Sequence, residues 1–288
     1  MNSMHNKDES ELLAIGKLLS NQQLMMQSDS INDFEFKIFS QYGDDGIIQY
    51  LIRNLNIQNE TFIEFGVEDY SESNTRFLMM NNNWTGYVLD GSAENIKALE
   101  SRNWLWKYDL RCKAVFIDRD NINALLADSH FTNIGILSID IDGNDYHILS
   151  ALDLSMLNPA ILIVEYNSNF GMERFISIPY QKDFNRTQAH FSNLYWGASL
   201  SALTHEAKAK GYSLVCCNNA GNNAYFVRTD LINDKVKIAD VDKAYRISRF
   251  RESRDHRGKL TYLRSDERME AIRGLDVINT LTGTTEKL

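Results

Sequence analysis

The sequence predicts an α/β fold: a mostly parallel sheet, covered by helices on both faces and closed by an antiparallel hairpin. Two observations carry this. Short apolar runs alternate with helical patterns from residue 61 to residue 210, the signature of a buried parallel sheet. The last two apolar runs, 212–217 (YSLVCC) and 224–228 (AYFVR), are joined by six residues. A parallel crossover needs about a dozen residues or more, so these two strands must be antiparallel. With 288 residues and 43% hydrophobic content, the chain can bury a large core.

The elements follow in order. Residues 8–28 place Leu12, Leu13, Ile15, Leu18 and Leu19 at helical spacing. Residues 1–38 are read as a helical extension. The loop 39–46 (FSQYGDDG) feeds a helix of pattern IIQYLIRNL. The first strand is 61–67 (TFIEFGV), with a helix from 74 to 80. The second strand is 86–90 (GYVLD), with a helix over 93–101. The third is 113–117 (KAVFI), ending at Asp118, with a helix over 121–129. The fourth is 135–141 (GILSIDI), with a helix over 146–152, and the fifth is 160–166 (AILIVEY). Residues 168–196 read as irregular, a candidate lid. A helix over 199–210 is closed by Gly211 and leads into the hairpin. The unit 39–230 is thus one seven-stranded core. Residues 231–288 are read as a helical extension that packs over the core or joins two copies.

Composition excludes several classes. Lys and Arg number 30 against 39 Asp and Glu, a net charge of −9, which argues against a phosphate backbone as partner. The basic stretch 235–273 is read as a solvated helical face, or else as a patch for an anionic substrate. No run of about 18 apolar residues is present, so no membrane span is expected. The start, MNSMHNKDES, lacks the apolar stretch of a secretory signal. Cys112, Cys216 and Cys217 show no metal spacing and suit a reducing cytosol, so a cytoplasmic protein is expected.

Open α/β sheets bind ligands outside the carboxyl ends of their strands. Strand one ends Glu64-Phe65-Gly66, and Gly66 either lets the backbone approach a ligand or is a plain strand-to-turn glycine. Glu68, Asp69 and Glu72 follow, and would repel a diphosphate. S-adenosylmethionine (SAM) has no phosphate and carries a cationic sulfonium and amine, so an acidic rim suits it better than NAD. Strand two ends at Asp90, placed to accept ribose hydroxyls, and Ser92 either binds beside it or caps the next helix. Asp118 ends strand three and either meets the adenine amino group or opens a helix. Strand four brings Asp140, Asp142 and Asp145. Alternation puts Asp140 and Asp142 on one face, near Glu165 and Asn167 of strand five. Such oxygen ligands suit Mg²⁺ or Mn²⁺, which would lower the pKa of a bound hydroxyl. The other reading has one acid gripping the SAM amine and another acting as general base, without metal. His190, in the candidate lid, is a further candidate base. His147 reads as a packing or surface residue.

The runs SQYGDDGII, FIEFGVEDYSESNT, GYVLDGS, LSIDIDGNDYHIL, IVEYNSNFG, WGASLSAL and CNNAGNNAYFVR resemble an FkbM-like group of SAM-dependent methyltransferases. The resemblance spans roughly residues 39–230. It implies the Rossmann-like class I methyltransferase fold and O-methylation of a sugar hydroxyl on a bacterial surface-polysaccharide, related glycan or nucleotide-sugar intermediate. The segment 140–146 (DIDGNDY) also resembles the strand-four motif of cation-dependent catechol-type O-methyltransferases. That likeness implies Asp140 as metal ligand, completed by Glu165 and Asn167, and Asp142 as SAM contact. The expected SAM-binding set is Gln41, Asp45, Glu64, Gly66, Asn74, Asp90, Ser92, Asp118 and Asp142, with Gln41 and Asp45 at the methionine end. The expected catalytic set is Asp140, Glu165 and His190. Two other classes compete. A nicotinamide-dependent oxidoreductase or epimerase predicts a phosphate cradle after strand one, which is missing. A non-catalytic scaffold predicts broken strand-end acids, and these are intact.

Overall fold

The computed structural model describes residues 2–288, with side chains from Glu9 onward. Helix α1 (Asn2–Gln22) leads to α2 (Asp44–Asn54), and then strands and helices alternate. They are β1 (Thr61–Phe65), α3 (Arg76–Asn82), β2 (Thr85–Asp90), α4 (Ala93–Glu100), β3 (Leu110–Ala114), α5 (Ile122–Ala127), β4 (Ile136–Ile139), α6 (Asp145–Ala151) and β5 (Ile161–Glu165). After β6 (Ile176–Ser177) and α7 (Arg186–Ala189) come α8 (Leu200–Ala209) and the hairpin β7 (Tyr212–Cys217) and β8 (Asn223–Arg228). The chain closes with α9 (Val241–Ala244), α10 (Ser265–Glu270), β9 (Asp276–Asn279) and β10 (Thr285–Lys287).

The main sheet has seven strands in the order β3-β2-β1-β4-β5-β8-β7. The first five are parallel, while β8 runs antiparallel to both β5 and β7. This is the mostly parallel α/β plan, closed by an antiparallel hairpin, that the alternation and the short hairpin loop predicted. Strand order reverses between β1 and β4, which opens a crevice there.

Side-chain alternation builds the two cores. Ile63, Phe65, Leu137, Ile139, Leu162 and Val164 face one layer, with α5, α6 and α8. Phe62, Ile136, Ile161 and Ile163 face the other, with α2 and α3. Every residue of β4 and β5 is buried. That is why these strands read as nearly continuous apolar runs rather than alternating ones. Ser199 caps α8 by accepting from Ala202 N at 3.2 Å, and Gly211 stops it at φ +89°.

Two expectations are corrected. The third strand lies at 110–114, not 113–117. It is an edge strand paired only with β2, so Arg111 and Lys113 can point to water. The apolar residues 115–117 are thereby released to the sheet's carboxyl edge. The segment 231–288 is not a helical extension, for α9 has only four residues and α10 only six. Instead β9 pairs with both β6 and β10 in a three-stranded sheet. Mixed charges such as Arg249-Phe250-Arg251-Glu252 carry no helical phase, and extended backbone satisfies them equally well. No helix among the described residues is long and apolar enough to cross a membrane.

Candidate active site

The carboxyl ends of β1, β2, β4 and β5 open into a cavity of about 410 Å³, a size typical of small-molecule sites. Gly66 and Asp140 face each other across the β1–β4 switch point. Gly66 sits at φ +70°, and a Cβ there would fall 1.7 Å from the Asp140 carbonyl oxygen. The glycine is therefore required by the neighbouring strand end, whatever ligand lies above it.

Asp90 ends β2 and faces the cavity. Its Oδ2 accepts from Glu68 N at 2.8 Å, and its Oδ1 accepts from Ser92 N at 2.8 Å and Asn95 Nδ2 at 3.2 Å. The first bond ties the carboxylate to the turn after β1, and the other two tie it to the start of α4. Ser92 caps α4, its Oγ accepting from Asn95 N at 3.2 Å, and does not reach the cavity. Asp118 also stands outside. It accepts from Asp120 N and Asn121 N and pairs with Lys182 at 2.9 Å. The Lys182 ammonium holds its carboxyl below the usual range. Val115, Phe116 and Ile117, released by the short β3, line the cavity in its place.

Glu64 and Asn74 line the cavity from β1 and the following turn. Glu64 accepts from Asn74 N, Thr75 N and the Ser73 and Thr75 hydroxyls, so it folds the turn that carries Asn74. Burial nonetheless raises its pKa. Gln41 reaches the cavity, whereas Asp45 does not. The Asp45 Oδ2 accepts from Ile38 N, Phe39 N and Ser40 N at 2.6, 2.8 and 2.9 Å. Burial pushes this carboxyl up to about 6 despite those bonds. It shapes the loop, which presents Tyr42 as well as Gln41 to the cavity.

The acidic motif after β4 behaves differently from a strand. β4 ends at Ile139, and Asp142 adopts φ +56°, so strand alternation no longer applies. Asp142 is largely exposed at the rim and pairs with Arg186 at 3.1 Å. Asp145 turns inward, accepting from Ile141 N at 3.0 Å and Gly143 N at 2.9 Å. Carboxylate oxygens of Asp140, Asp145 and Glu165 lie within 4.8 Å of one another. Burial, then mutual repulsion, pushes Asp140 and Glu165 well above the usual carboxylate range. Asp145 is pushed up to about 6, chiefly by burial.

Asn167 does not join this group. Its Nδ2 donates to the Leu194 and Trp196 carbonyls at 2.9 and 2.8 Å, and its Oδ1 accepts twice from Asn169. No atom is left for a metal, and Asp145 stands where Asn167 was expected. His190 also lies outside the cavity. Its Nδ1 is 2.7 Å from Ser192 Oγ, and its ring packs on Phe191. His147 is a packing residue, with Nε2 2.7 Å from the Ile178 carbonyl.

Other cavity residues escaped the sequence reading. Arg186 comes from the irregular segment, and Phe250 and Glu252 from the C-terminal stretch. Tyr42 and Phe250 stack at 5.9 Å with a 15° interplanar angle. From the hairpin, Asn223 donates to Asp44 at 3.1 Å, and Asp44 also accepts from Asn218 at 2.9 Å and Tyr225 at 2.6 Å. The Asn-rich hairpin loop was the available signal for Asn223. A buried carboxylate needs several donors, and amides supply them.

No family model and no curated protein matches the chain. Among solved structures, the fold is similar to the pyocyanin biosynthetic protein PhzM (11% identity, TM-score 0.36, covering 63% of this chain and 54% of that one). It is also similar to a SAM-dependent methyltransferase from Clostridium acetobutylicum ATCC 824 (10% identity, TM-score 0.35, 62% and 88% covered). A third likeness is to a SAM-dependent methyltransferase from Aquifex aeolicus (8% identity, TM-score 0.33, 63% and 89% covered). The chain thus spans about half the length of the first of these (54%). At these values the likeness is one of architecture.

Proposed function

We propose that this chain is a SAM-dependent O-methyltransferase of the FkbM-like kind, acting on a sugar hydroxyl of a surface polysaccharide or related glycan. The observation that carries the reading is the convergence of Gly66, Asp90, Asp140 and Glu165 on one cavity at the β1–β4 switch point. The residues present fit the cofactor. Asp90 is placed for ribose hydroxyls, Phe116 and Ile117 offer apolar surface for a base, and the acidic wall suits a cationic sulfonium and ammonium. SAM, when bound, supplies an electrophilic methyl group on a cationic sulfur.

The chain's own part is to hold the acceptor hydroxyl in line, exclude water and take up its proton. Glu165 Oε2 is buried, faces the cavity and has no partner. Burial raises this carboxyl above the usual range, which makes its ionised form a stronger base, and a positioned base contributes about 10²–10⁴-fold. Asp140, Asp145 and Glu165 form an oxygen-only set that fits Mg²⁺ or Mn²⁺. A cation held there would favour the ionised hydroxyl.

Calorimetric titration with S-adenosylhomocysteine and with NAD⁺, each with Mg²⁺ and with EDTA, tests the reading. Micromolar binding of S-adenosylhomocysteine alone is expected. Its failure to bind under either condition, or preference for NAD⁺, sinks the methyltransferase reading.

A further inference from the structure

Three buried oxygens on the cavity wall have no hydrogen-bond partner: Glu165 Oε2, Asn144 Oδ1 and Asn223 Oδ1. The two amide oxygens are acceptors, and so is the Glu165 oxygen in its ionised form. The amide orientations are set by their other ends, since Asn144 donates to the Gln181 carbonyl at 2.8 Å and Asn223 donates to Asp44 at 3.1 Å. Turning either amide over would place oxygen against oxygen. Buried acceptors are normally paired, so these three are complementary to a ligand that brings donors.

Charge points the same way. Among the described residues, eight carboxylates line the cavity against one guanidinium, that of Arg186. Arg186 is itself engaged, with Asp142 at 3.1 Å and Glu252 at 3.7 Å. Apart from Glu64, Asp140 and Glu165, the five carboxylates of Glu68, Glu72, Asp90, Asp142 and Glu252 still outnumber it. A cleft walled by one sign of charge repels ligands of that sign. The Tyr42–Phe250 stack and Phe184 add apolar surface beside these acceptors.

Resting on the methyl-transfer reading, we propose that the acceptor is a neutral or amino sugar without any anionic group, and that phosphorylated and nucleotide-linked sugars are turned away. Asn144 and Asn223 accept from its hydroxyl or ammonium hydrogens, and a C–H face of the ring lies on Phe250. Asn144 and Asn223 are then specificity residues.

Saturation-transfer NMR on the full chain with excess S-adenosylhomocysteine tests this. The probes are methyl glucoside, methyl glucosaminide, glucose 1-phosphate and UDP-glucose. Signals are expected from the first two, with the phosphates about tenfold weaker or worse at low salt and the gap narrowing as salt rises. A stronger amino probe identifies ammonium recognition, and equal signals identify hydroxyls alone; both support the proposal. Equal or tighter binding of either phosphate overturns it. So does silence from both uncharged and amino probes while S-adenosylhomocysteine binds. If S-adenosylhomocysteine itself does not bind, the methyl-transfer reading has failed instead. Asn223→Leu should weaken glycoside binding about tenfold. The probe ranking is read on the native protein, so it holds whether or not that variant folds.

Discussion

Gly66 presses against the carbonyl of Asp140, 1.7 Å from where a Cβ would lie, at a φ of +70°. Two independent demands thus fall on one residue. A side chain there meets backbone, which cannot rotate away, and the left-handed conformation is itself unfavourable for other residues. Gly66→Ala should therefore cost about 2–4 kcal/mol and displace Asp140 from the cavity. Urea denaturation should show the loss, and S-adenosylhomocysteine binding should fall with it. A variant as stable as the parent would contradict the close approach.

Asp90→Asn separates charge from shape. The carboxylate is held by three donors from its own surroundings, and the ribose would share its remaining lone pairs. Hydrogen bonds to a charged acceptor are worth about 1.5–3 kcal/mol, so affinity for S-adenosylhomocysteine should fall about 10–100-fold. Calorimetry at constant pH checks this; unchanged affinity would remove Asp90 from the cofactor site.

The buried acids make stability and activity move oppositely with pH. Asp145 titrates at about 6 in the fold, against an ordinary value of 3.8. Between those values the native state holds more protons than the unfolded chain, so stability should decline as pH rises from about 4 to 6. Glu165 is raised in the same direction, so proton uptake from an acceptor should strengthen as pH rises through its titration. Glu165→Gln is expected to gain about 1 kcal/mol of stability at pH 8 and to lose about a hundredfold or more in turnover. Melting curves and initial rates across pH decide it. A variant that keeps parental turnover would exclude Glu165 as the base.

Asp44 ties the start of α2 to the hairpin. It accepts from Tyr225, Asn218 and Asn223, and burial raises its carboxyl against those stabilising bonds. Asp44→Ala strands three buried donors and should cost about 3 kcal/mol, while Tyr225→Phe should cost about 1–2 kcal/mol. Chemical denaturation of both variants gives the comparison. Equal costs would show that the phenol, not the amides, carries the connection.

The order of elements was legible in the sequence because it depends on local pattern. The apolar run ILIV, ending in Glu165, read as a strand buried on both faces. The six-residue hairpin loop could not bridge parallel strands. The strand-end residues Gly66, Asp90, Asp140 and Glu165 followed, because in a parallel sheet chain direction alone puts them at one edge. Tertiary structure decided which polar atoms remain free there. Asn167 and Asp145 sit in similar stretches of acids and amides after neighbouring strands, yet carbonyls from 194 and 196 consume one, and the other faces Asp140 and Glu165. Likewise Ser92, Asp45, Asp118 and His190 carry the right chemistry but spend it on caps, turns and neighbours. Arg186 reaches the cavity from a segment read as irregular, and Phe250 and Glu252 from one read as helical. Their place depends on long-range packing, which side-chain periodicity does not encode.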